Sequence, residues 1–165
     1  MGAADDPYAD ESEKPQREVH VDAFWIDQTE VTNGMYAYCV FEGNCEEISI
    51  GVSLTHADYY SNLSFGEYPV VNVTWEQAQT YCQWGGRRLP TEAEWEKAAR
   101  GVDGRVYPWG DQPPMCNLAS FGNYAAGEAT CVQDITQAGT YPEGASPYGA
   151  LDMAGNVWEW VADWY

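Results

Sequence analysis

The side chains of this sequence best suited to chemistry lie in Asp152-Met153-Ala154-Gly155-Asn156-Val157-Trp158-Glu159. Asp152 and Glu159 are hard oxygen donors, and Gly155 permits a tight bend that aims carbonyls inward. A cation such as Ca2+ suits such a loop, because its roughly six to eight oxygens come from carboxylates, backbone carbonyls and water. Trp158 and Trp160 are expected to pack on the opposite side and fix the loop. From spacing alone, a surface turn with Asp152 as a helix cap accounts for the same residues equally well.

Other reactive side chains are few. Arg87-Arg88 reads either as an anion site beside a helix N-terminus or as an arginine paired with an acidic neighbour such as Glu92 or Glu96. Nothing resembles a Ser/His/Asp set, a phosphate-binding loop or a dinucleotide fingerprint, and no catalytic residue is assigned. Of the five cysteines, Cys39 and Cys45 bracket a short turn, and Cys116 and Cys131 bracket a loop rich in Gly, Asn and Ala. Two local disulfides are expected, with Cys82 left over; buried free thiols are the alternative. With only His20 and His56 in the chain, the spacing fits no zinc signature.

Composition narrows the classes. A chain of 165 residues is one domain at most, large enough to bury a core. A formal net charge of −19 excludes nucleic acid as a default partner and suits cation binding. Eight Trp and twelve Tyr make the expected core aromatic. No apolar run approaches the roughly 20 residues that span a bilayer. Disulfides place the protein outside the cytoplasm or in a secreted setting, although no charged-then-apolar leader opens this chain.

The elements that must position these residues are written with clear ends. Thr91 with Glu94 forms a capping box, Glu92 and Glu94 occupy the first turn, and Lys97 and Arg100 the last. Gly101 stops that helix, and Trp95, Ala98 and Ala99 share its buried face. Thr74 with Gln77 opens a second helix, which is expected to bury Ala78, Tyr81, Cys82 and Gly85. Thr32 caps a third, which runs toward Phe41 and ends at Gly43. Alternation predicts a strand over residues 19–27, and residues 69–73 read as a short buried strand. Residues 1–18 read as an acidic surface loop, 46–67 as an irregular, surface-exposed excursion, and 111–150 as a long loop that metal or disulfides must order. Sequons at Asn62 and Asn72 carry no weight. The fold class is α+β, with about three capped helices, few short strands and long loops.

Gly86-Arg87-Arg88-Leu89-Pro90-Thr91-Glu92-Ala93-Glu94-Trp95-Glu96, then Tyr107-Pro108-Trp109-Gly110, then residues 152–160 resemble the formylglycine-generating, or sulfatase-modifying factor, enzyme family. The likeness runs from about Val19 to the last residue, with three motifs in the family's order. It implies a fold similar to that of C-type lectins. It also implies Ca2+ held by the side chains of Asp152 and Glu159 and the carbonyls of Gly155 and Val157. A second site would begin at Asn117 and Leu118, with further ligands in the loop from Cys131 to Asp134.

The same resemblance implies oxidation of a cysteine in a substrate protein such as a sulfatase, with O2 and Cu(I) on two thiolates. Those cysteines are expected downstream of the Trp-Glu-Trp motif, so residues 19–165 read as a partial domain lacking its C-terminal catalytic part. Met1-Gly2-Ala3 resembles the end of the family's first strand, and the counterpart of Cys82 in some members bridges to a cysteine further downstream. The alternative is a non-catalytic C-type-lectin-like module that binds a ligand or a protein.

Overall fold

A computed structural model describes residues 1–3, 13–122 and 131–164. Among the described residues the α-helices are α1 (Asn33–Phe41), α2 (Trp75–Trp84) and α3 (Glu92–Arg100). Each begins where its threonine demands. Thr32 Oγ1 accepts from the Met35 amide, and Thr74 and Thr91 complete reciprocal capping boxes with Gln77 and Glu94. At the C-terminal ends, Gly43 (φ +74°) follows α1 and Gly101 (φ +70°) closes α3, left-handed positions that glycine tolerates.

Neither expected strand forms a ladder. Among the described residues the β pairing consists of two isolated bridges, Thr32 with Pro69 and Tyr107 with Gly110. The Val70 and Asn33 amides donate to the carbonyls of Val31 and Tyr68, so residues 31–34 and 66–70 run antiparallel for only a few bonds. Residues 19–27 alternate in sequence but find no partner strand there.

Among the described residues two clusters form the core. Tyr36, Cys39, Cys45, Ile48 and Tyr81 join α1 to α2, with Tyr36 stacked on Tyr81 at 5.8 Å between ring centroids. Ala98, Ala99, Ala150 and Met153 pack α3 against the 150s, with Phe24, Ile26 and Trp95 around them. Of the residues expected to be buried on α2, only Tyr81 is; Ala78 and Cys82 are half-buried and Gly85 is exposed.

The excursion at 46–67 is not merely surface. Tyr59 is buried and its hydroxyl donates to the Pro69 carbonyl at 2.8 Å. The acidic start of the chain lies at residues 4–12 outside the described residues, whereas Ala3 is buried and the Gly2 amide donates to Glu96 on α3. Both expected disulfides are present, Cys39–Cys45 and Cys116–Cys131, with Cα separations of 5.3 and 5.2 Å, and Cys82 is free.

Candidate functional site

The 152–159 loop is bent by its own backbone. Asp152 (φ +55°), Gly155 (φ +91°) and Asn156 (φ +57°) all adopt positive φ, conformations that Asp and Asn tolerate better than most residues. At Gly155 any Cβ would strike the Ser120 carbonyl, while the Asn156 amide donates to that same oxygen at 2.8 Å. Close approach, as well as torsion, requires the glycine.

Asp152 is buried at 6% exposure. Its Oδ2 accepts from the Gly139 amide at 2.6 Å, tying the 111–150 loop to the motif. Its Oδ1 is buried with no hydrogen-bond partner. It caps no helix.

The structure adds a residue that the sequence reading missed. Glu30, just before α1, is 9% exposed; its Oε1 accepts from the Asn156 side-chain amide at 2.9 Å and its Oε2 has no partner. Burial, then the negative charge of Asp152, push the Glu30 carboxyl up to about 8, against the Asn156 amide that lowers it. Asn156 was missed as well, and its Oδ1 accepts from the amide and hydroxyl of Thr136. No local signal marks Glu30, because its partner Asn156 lies 126 positions away.

Glu159 is exposed, although neighbouring protein crowds its carboxyl. Burial pushes it up, the Asp152 charge adds to this, and the Trp95 indole opposes it from 2.9 Å. Glu30 and Glu159 are among the residues that line a pocket of about 570 Å3. Phe24, Ile26, Tyr81, Cys82 and Trp160 are among its walls.

The tryptophans do not serve as expected. Trp158 stands in solvent at 103% exposure and cannot back the loop. Trp160 is half-exposed and holds the Val73 carbonyl through its indole nitrogen at 3.0 Å. The packing role falls instead to Met153 and Trp95.

The second expected cation site looks different. The Asn117 side-chain amide donates to Glu143 Oε2 at 2.6 Å and Leu118 is buried. Asp134 is saturated by the hydroxyl of Ser53, the hydroxyl and amide of Thr55, and the Ile135 amide. Burial pushes its carboxyl up, but these bonds together outweigh it and hold it down at about 2.

Neither arginine is an open anion site. Arg87 Nη1 meets Asp27 at 2.6 Å and Arg88 meets Glu94 at 2.6 Å, so ion pairing prevails with partners other than Glu92 and Glu96.

Among the described residues no three His, Cys, Asp or Glu side chains form a group able to hold a metal ion on their own. For a hard cation the donor set nevertheless fits, since Glu30 Oε2 and Asp152 Oδ1 are buried oxygens wanting a donor or a positive charge. A soft two-thiolate site is not on offer. Four cysteines are bridged, and burial pushes the Cys82 thiol up, away from thiolate, with Arg87 only partly compensating. No described helix is long and apolar enough to cross a membrane.

Comparison with known proteins finds relatives along the whole chain. Residues 1–165 match the profile of the sulfatase-modifying factor enzyme 1-like domain. The chain is 32% identical to the formylglycine-generating enzyme of Mus musculus, over all of this chain and 55% of that protein. It is 35% identical to the hercynine oxygenase of Mycolicibacterium thermoresistibile, over 96% of this chain and 40% of that one. It is 47% identical to the inactive C-alpha-formylglycine-generating enzyme 2 of Bos taurus, over 60% of this chain and 34% of that protein. The chain thus spans about half the length, or less, of these relatives.

Proposed function

Given that the chain belongs to the sulfatase-modifying factor enzyme 1-like domain family, we propose that it is the cation-ordered scaffold of an enzyme that oxidises a substrate-protein cysteine to formylglycine. The observation that carries this is the family match over the whole of residues 1–165, joined by a relative of that activity aligned along the entire chain. A sulfatase-like protein presenting a cysteine is the proposed partner, and the two disulfides favour an oxidising, extracytoplasmic or secreted setting.

In this reading Ca2+ is held by the side chains of Asp152 and Glu159 and by the carbonyls of Gly155 and Val157. Asn117 and Leu118 begin the second, more distant site. Bound Ca2+ supplies charge that neutralises carboxylates crowded together; the chain's own residues orient the loop. The copper chemistry belongs to thiolates outside residues 1–165, since no cysteine pair in this chain fits it.

A second reading, a non-catalytic binding module, is favoured by the 47% identity to a relative whose name declares it inactive. One assay separates the two. Residues 1–165 and the intact protein are each incubated with copper, O2 and a Cys-x-Pro-x-Arg peptide, and aldehyde is read by mass spectrometry. Aldehyde from the intact protein alone is expected. Aldehyde from residues 1–165 overturns the scaffold role, and none from either favours the binding module.

A further inference from the structure

Two buried carboxylates from opposite ends of the chain each leave one oxygen without a partner. Glu30 precedes α1 and Asp152 opens the C-terminal loop, and they are 9% and 6% exposed. Glu30 Oε2 and Asp152 Oδ1 are both shut off from water and unbonded. Their other oxygens are accounted for, by the Asn156 side chain and by the Gly139 amide. A lone buried oxygen of this kind is costly, the more so when charged. The Asp152 charge acts on Glu30, so a single partner between them would answer both.

That partner is a proton or a cation. A proton satisfies one oxygen by making Glu30 neutral; a cation satisfies both and leaves both ionised. The loop architecture favours the cation. Asn156, the residue that holds Glu30, lies between Gly155 and Val157, whose carbonyls are proposed ligands, and its positive φ fixes the bend there. The Leu151 amide donates to the Gln28 carbonyl at 2.7 Å, so the two segments are clasped by backbone immediately beside the two carboxylates.

We propose that Glu30 is a further carboxylate of the Asp152 cation centre, so that a single hard divalent ion ties the entrance of α1 to the 152–159 loop. This rests on the reading of Asp152 as a Ca2+ ligand. It adds an element 122 positions earlier in the chain, which the 152–159 motif does not contain.

The test uses calcium titration calorimetry on wild type, Glu30→Gln, Asp152→Asn and the distant control Glu47→Gln. Glutamine copies the shape of a protonated Glu30 and keeps an acceptor for Asn156. Glu30→Gln is expected to weaken Ca2+ binding at least tenfold, about 1.4 kcal/mol, with little change from Glu47→Gln. If Glu30→Gln binds Ca2+ as wild type does while Asp152→Asn fails, Glu30 is a proton-sharing core acid and this inference alone falls. If wild type binds no Ca2+, the cation centre itself falls with it. Should Glu30→Gln not fold, hydrogen exchange of wild type decides. Ca2+ is expected to slow exchange in peptides covering residues 28–32 as well as 152–159, and protection confined to the latter overturns the proposal.

Discussion

The Trp95 indole donates to Glu159 Oε2 at 2.9 Å, so α3 grips the far end of the 152–159 loop. The same helix buries Ala98 and Ala99 against Met153. One element therefore holds the motif by packing at its start and by a charge-assisted hydrogen bond at its end.

Removing the donor alone tests that grip. Trp95→Phe keeps an aromatic body but loses the bond, and is expected to cost about 1–3 kcal/mol in urea unfolding. Because the indole is what lowers the Glu159 carboxyl, its titration is expected to move up in the variant when followed by carbon NMR. An unmoved titration would show that the bond is not populated.

Two glycines separate torsion from collision. Gly86, following α2, has φ +69° and open space where a Cβ would stand; Gly86→Ala is expected to cost about 1–2 kcal/mol, the left-handed penalty alone. Gly155→Ala adds a clash with the Ser120 carbonyl and is expected to cost about 3 kcal/mol or more. Equal losses in paired denaturant melts would mean that the 118–120 backbone yields freely.

What the sequence disclosed follows from distance along the chain. Thr32, Thr74 and Thr91 are legible because a cap and its amide lie within three residues, so one hydrogen bond decides the helix start. The disulfides close separations of 6 and 15 positions and were equally local. Asp152 and Gly155 stood out by type and by family motif. Glu30 did not, because its partner Asn156 is 126 positions away and a lone glutamate before a helix usually faces water. Residues 19–27 misled in the other direction. Alternation reports a half-buried extended segment, but a strand also needs a neighbour to bond, and that information is not local. Trp158 shows the same limit, since aromatic type predicts burial and only tertiary structure reveals its 103% exposure.

The disulfides should differ in worth. Loop-closure entropy gives about 2 kcal/mol for Cys39–Cys45 and about 3 kcal/mol for Cys116–Cys131. Cys39 is also fully buried in the α1–α2 core, so its replacement disturbs packing as well. Cys39→Ser with Cys45→Ser is therefore expected to lose more stability than its loop length alone predicts, while Cys116→Ser with Cys131→Ser loses about the entropic amount. Chemical denaturation of both double variants checks the order.

The Arg88–Glu94 pair gives a pH dependence of definite sign. Hydrogen bonds from Arg88 lower the Glu94 carboxyl from 4.5 to about 2, with burial opposing. A group depressed on folding stabilises above its unfolded pKa, and that contribution is lost as pH falls from about 4.5 toward 2. Arg88 is 62% exposed, so water screens the pair and about 1–2 kcal/mol is the reasonable expectation. Glu94→Gln preserves the acceptor for the Thr91 amide and isolates the charge. The variant should be less stable at pH 7 and converge with wild type near pH 2. A gap that persists unchanged at pH 2 would assign the loss to packing.

The cation centre makes the widest prediction, because it links the ordering of a loop to an ion. At 100 times its dissociation constant, Ca2+ adds about 2.7 kcal/mol to the folded state, a rise of roughly 5–10 °C in Tm for a domain of this size. Asp152→Ala removes a buried oxygen with no other partner and should abolish most of that rise. Asp163 gives the contrast. Its Oδ2 accepts from the Glu92 amide at 2.7 Å, at the first turn of α3, so Asp163→Ala should lower the baseline Tm by weakening that helix start, by about 1 kcal/mol. Asp163 lies outside the 152–159 loop, so the Ca2+ increment should survive the mutation nearly whole. Melts of the three proteins, each with Ca2+ and with chelator, separate the two kinds of loss. A wild-type midpoint that chelation leaves unmoved would mean that hydrogen bonds to Gly139 and Asn156 order the loop without an ion.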